Sequence, residues 1–167
     1  MPVGVSATSL YEVVLAVHIM AVVIAFGVTF AYPIMFAVGA RTDPRSLPLL
    51  HRIEYTTERV LVNGGLLIVL LAGIYLASKG HYWSDFFVQW GLGAALVIGA
   101  IAGSVMIPTA KRAEQIAARD IAAAPADGEV TMSEEYRALV RRLGIVGGSL
   151  STLVLVTILF MALHVGA

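Results

Sequence analysis

The sequence predicts an all-α fold: a four-helix transmembrane bundle, up-down-up-down, with helices three and four extending into the cytoplasm. Three observations carry that prediction. Hydrophobic residues make up 59% of the 167 positions and charged residues only 13%, against roughly 45–50% and about 25% in soluble proteins. Four stretches carry no charge, 13–40, 60–78, 86–110 and 143–167, and each exceeds or nears the roughly 20 helical residues that cross a bilayer. The stretches are continuously apolar, where the strands of a membrane barrel would alternate apolar and polar. With helical ends added, the spans cover about 10–40, 57–79, 84–110 and 142–165 of a single domain, 1–167, with a helical hairpin at about 111–141.

Span one has a clear start. Ser9 and Glu12 have the S-x-x-E spacing of a capping box. No Lys or Arg precedes the first apolar run, so a cleavable signal peptide is not expected. Tyr11, His18, Ala25, Thr29 and Tyr32 fall on one narrow face at about 100° per residue, the natural interior. Pro33 removes a backbone hydrogen bond and predicts a kink.

Span two follows Pro48, which suits a first helical turn. Arg52, Thr56, Arg59 and Asn63 share a face; Asn63 is expected to hydrogen-bond across the bundle and Arg59 to snorkel to the headgroups. Glu54 and Glu58, with Arg52 and Arg59, read as a charged helix face at the membrane surface.

Span three runs on through KRAEQIAARDIAAA, rich in helix formers, until Pro125 to Gly128 break it. Ser133, Glu134 and Glu135 make a good N-terminus for helix four. Gly91, Ala95, Gly99 and Gly103 form a stripe of small residues at intervals of four, and Gly144 and Gly148 have GxxxG spacing. In lipid such residues let helices approach closely. The stripes serve packing within the bundle or the seam of a homodimer or larger membrane complex.

Charge sets the orientation. Arg41, Arg45, Arg52 and Arg59 lie between spans one and two; Lys111, Arg112, Arg119, Arg137, Arg141 and Arg142 lie between spans three and four. Only Lys79 lies on the other side. By the positive-inside rule the connections at 40–57 and 111–141 are cytoplasmic, both termini are outside, and the membrane is a cell's inner membrane. Tyr82, Trp83, Phe86, Phe87 and Trp90 form an aromatic belt at the outer interface.

The chemistry is sparse. Eleven basic residues balance eleven acidic ones, which removes the signature of a nucleic-acid binder, and the lipid bilayer is the expected partner. Zero cysteines exclude disulfides, thiol catalysis, Fe–S clusters and covalent c-type haem. No phosphate loop, dinucleotide motif, H-E-x-x-H or G-x-S-x-G occurs, and no catalytic or metal site is expected. His18 is the residue that invites a functional reading. It lies about 8–12 Å below the outer surface at 1.5 Å per residue, where it is either a hydrogen-bonded neutral imidazole or a ligand, such as an axial ligand to b-type haem. His164 is the weaker candidate for a second ligand, with Met161 and Met106 as others; His51 lies on the wrong side and His81 in the outer connection.

The run SEEYRALVRRLGIVGGSLSTLVLVTILFMALH resembles the last helix of a bacterial four-span integral membrane family of unknown function. LAVHIMAVVIAFG, LLAGIYLA and WSDFFVQWGLGAAL extend the likeness over nearly the whole chain. Where that family tends to end in Met-x-x-Lys-Pro, this chain has His164 in place of the lysine. More distantly, His18, Phe30, Tyr32 and Pro33 are similar to the helix-one outline of HemJ-type protoporphyrinogen oxidases and copper-resistance D-type membrane proteins. That likeness implies haem at His18, although span three has no embedded lysine. Two functions are thus expected as alternatives: a non-catalytic scaffold or accessory subunit, or a b-type haem protein or oxidoreductase with His18 as axial ligand.

Overall fold

The computed structural model describes residues 9–125 and 128–166, which form helices and connections and no strand. Four helices, α1 (Leu10–Thr42), α2 (Pro44–Gly80), α3 (Phe86–Ala123) and α4 (Glu134–Leu163), are each long and apolar enough to cross a membrane. The all-α four-helix bundle is therefore the observed architecture. Asp43 alone separates α1 from α2, and five residues separate α2 from α3, so sequential helices pack side by side.

The helix starts follow local chemistry. The Glu12 N–H donates to Ser9 Oγ (3.3 Å) and the Ser9 N–H to the Glu12 carboxylate (2.8 Å), the capping box expected at α1. The Arg45 N–H donates to Asp43 (3.0 Å) as α2 begins, and Pro48 falls in the first turn of its α-helical part. Ser133 Oγ accepts from the Tyr136 N–H (3.3 Å) at the start of α4. α3 continues to Ala123, just before Pro125.

Two apolar clusters hold the bundle. Ala25, Phe26, Val62, Leu66, Ala95, Ile98 and Val154 pack near its middle. Toward the arginine-rich end, Leu47, Ala110, Ala113, Ile116, Ala117 and Tyr136 form the second. The extensions of α3 and α4 are therefore more than the projecting pair expected, because the first turns of α2 complete a three-helix layer with them. Arg52–Glu114 (2.6 Å), Arg112–Glu135 (2.7 Å) and Arg119–Glu135 (3.3 Å) tie its exposed faces. The Arg45 guanidinium also donates to the carbonyls of Pro125 (2.7 Å) and Gly128 (3.3 Å).

Three helices lose regular winding between these clusters. α1 tightens into a 3-10 turn at Val28–Phe30, while α2 and α3 widen into π turns at Glu58–Val62 and Ala102–Met106. Prolines account for two of these. Pro33 and Pro108 lack the N–H groups that would reach the carbonyls of Thr29 and Ser104, which frees the preceding turn. π turns are common beside functional sites.

Candidate functional site

The most deeply buried polar side chains lie toward the arginine-rich end. His51 is 1% exposed, Glu54 4% and Glu58 5%. His51 Nδ1 lies 2.9 Å from Glu54 Oε2, and Nε2 lies 3.0 Å from the Tyr136 hydroxyl. A carboxylate only accepts, so Nδ1–H donates to Glu54; in a neutral imidazole Nε2 then accepts from the Tyr136 O–H. Phe36 covers the ring, with centroids 4.5 Å apart. Acid, imidazole and phenol thus form one hydrogen-bonded chain from α2 to α4.

Helical geometry explains the gathering. His51, Glu54 and Glu58 fall within about 60° of one another at 100° per residue, whereas Arg52 and Arg59 fall on the opposite side. Glu54 and Glu58 are therefore not part of a charged surface face with those arginines, as the sequence suggested. The carboxylates face inward, while both arginines are exposed and Arg52 pairs with Glu114 of α3.

One turn on, Glu58 enters a cavity of about 570 Å³. Tyr32 lines it too; its hydroxyl is buried with no hydrogen-bond partner among the described residues, Thr57 being near but outside bonding geometry. No hydrogen bond to the Glu58 side chain is found among those residues either. The other walls are mainly apolar, including Phe26, Val62, Ile98 and Met106. All three irregular turns contribute to the lining: Thr29 and Phe30, Glu58 and Val62, Ala102 and Met106. The mouth opens between exposed residues of α1 (Phe30, Pro33, Ala37) and of α4 (Gly144, Gly148).

The residues singled out in the sequence are dispersed. Thr29 and Tyr32 line the cavity, and the Thr29 hydroxyl donates to the Phe26 carbonyl (2.7 Å). Asn63 is half-buried, without a side-chain hydrogen bond among the described residues. Gly91 meets Met161, Ala95 lies in the central cluster, and Gly99 faces Leu66 at 2.8 Å from a would-be β-carbon. Gly103, Gly144 and Gly148 have nothing within 4 Å of that position within the chain, and the last two line the cavity.

His18 is half-buried. Its Nδ1 is 3.1 Å from the Val69 carbonyl, and a β-carbon at Gly73 would be 3.3 Å from its Cε1. His18 is not among the lining residues: Phe26, the nearest of them on α1, lies eight positions along, about 12 Å of helix. His164 is exposed at the far end of α4, its ring edge-on to Phe87 at 5.2 Å. A neutral imidazole held by a backbone carbonyl through Nδ1 leaves Nε2 free, the arrangement of a structural histidine and of a ligand alike; among the described residues, no group of three or more His, Asp or Glu could hold a metal ion.

Sequence reasoning missed His51, Glu54, Glu58 and Tyr136 as a group. The signal was the H-x-x-E-x-x-x-E spacing, which stacks three polar groups on one side of a helix entering the membrane. Compared with known protein families, curated proteins and solved structures, the chain matches none.

Proposed function

We propose that this is a non-catalytic, multi-pass inner-membrane protein that binds a lipid-soluble small molecule in the cavity between α1 and α4. The observation that carries the reading is the Tyr32 hydroxyl, buried without a partner among the described residues, beside the Glu58 carboxyl in a cavity whose remaining walls are largely apolar. Leaving such a group unpaired is costly, and a ligand with a polar head satisfies it. The volume is within the range of small-molecule sites, about 300–1,000 Å³. The exposed lining residues lie on the sides of α1 and α4, which supports entry from the lipid, and the positive-inside rule reads the arginine-rich end beside them as the cytoplasmic one. The Tyr136–His51–Glu54 chain fixes the polar end of the site.

This sharpens the expected accessory role into that of a binding or carrier component. The test is native mass spectrometry of the full chain, released from detergent, with a panel of cationic, anionic and neutral amphiphiles. At least one compound should bind the unsubstituted protein, and Gly144→Phe, which fills an open lining position, should abolish its binding. Binding by no panel member, or equal binding by the filled variant, would overturn the reading.

A further inference from the structure

Resting on that binding reading, we infer that the cavity's occupant is a lipid-soluble cation: an ammonium- or phosphonium-type ion with an apolar body. Two carboxyl groups, Glu54 and Glu58, line the cavity, and among the described lining residues there is no Lys or Arg. The one basic group there, His51, is committed to Glu54 on one side and Tyr136 on the other. Glu58 is left without a counter-charge of its own.

The walls favour the same class. Phe26, Phe30, Tyr32 and Phe36 all line the cavity, and aromatic faces attract cations through their quadrupoles. An anion would meet two carboxyl groups and no available positive charge. A neutral ligand can hydrogen-bond Glu58 but brings no charge to balance a carboxylate, whereas a cation does. The ion's apolar body is what lets it travel in lipid and pass a mouth lined by Phe30, Pro33, Gly144 and Gly148.

The test is equilibrium dialysis of the full-length protein in zwitterionic lipid nanodiscs against three probes. Tetraphenylphosphonium and tetraphenylborate have nearly the same shape and opposite charge, and triphenylmethanol is neutral. The cation should bind at least about tenfold more tightly than either of the others, and Glu58→Gln should remove about tenfold or more of that affinity. Lys79→Gln, an exposed change at the far end, should leave it unaltered. Equal or preferred binding of the anion or the neutral probe, or undiminished cation binding by Glu58→Gln, overturns the inference while the binding reading stands. Binding of none of the three overturns the inference; failure of the wider mass-spectrometry panel separately overturns the binding reading. If Glu58→Gln does not fold, the comparison of probes on the unsubstituted protein decides the charge preference. Gly144→Phe, which fills an open lining position, then reports whether the cation sits in this cavity: reduced affinity supports that location and unchanged affinity overturns it.

Discussion

Replacing Gly65 with alanine should loosen the contact between α1 and α2, whereas the same change at Gly64 should not. A β-carbon at Gly65 would lie 2.6 Å from Ala25 Cβ and 3.3 Å from Ala25 Cα, where carbons rest at about 3.5–4.0 Å. Ala25 is fully buried and its backbone belongs to α1, so no side chain can swing aside. The helices must part by about 1 Å, an overpacking that costs about 1–3 kcal/mol. Gly→Ala inside a helix returns roughly 0.5–1 kcal/mol. At Gly64 nothing lies within 4 Å, so the gain stands alone. Gly65→Ala should therefore be less stable than Gly64→Ala by about 1–3 kcal/mol. Titration of each variant in mixed micelles with dodecyl sulfate, followed by circular dichroism, measures the difference. Equal midpoints would refute the idea that this glycine is there for close approach.

Other outcomes can be checked as directly. Tyr136→Phe leaves His51 Nε2 buried without its donor and should cost about 1–3 kcal/mol in the same titration. Protein expressed with ample haem should show no Soret band in a reduced-minus-oxidised spectrum; a band lost in His18→Ala would establish the haem alternative instead. In this cysteine-free chain, His81→Cys should react with an impermeant maleimide in intact cells and Gly128→Cys should not. The reverse pattern would overturn the charge-based orientation.

The helices themselves were legible because length and apolarity dominate in lipid. Capping at Ser9 and Ser133 was equally readable, since a side chain and backbone three residues apart decide it. The site was not. Glu54 and Glu58 stand among arginines in the chain, and proximity in sequence suggested a solvated surface pair although their helical angles separate them. The small-residue rule also reached its limit. It indicates where a helix can be approached and not whether a neighbour arrives: Gly99 meets Leu66, whereas Gly144 and Gly148 border empty space. Neither proline nor propensity announces the π turn in α2, which depends on what its two ends must face.

That turn works as a phase shift. Glu58, Val62 and Leu66 are four residues apart and all buried, yet an evenly wound helix would swing Leu66 about 80° away from Glu58. The wide turn absorbs the drift, so α2 aims its carboxylates into the site and, further along, Gly65 at α1. Chain length matters here more than side-chain identity. Val60 and Leu61 are exposed, 61% and 40%, and replacing either with another apolar residue asks little of the fold. Removing either one returns α2 to uniform winding, and its two halves then can no longer keep both appointments.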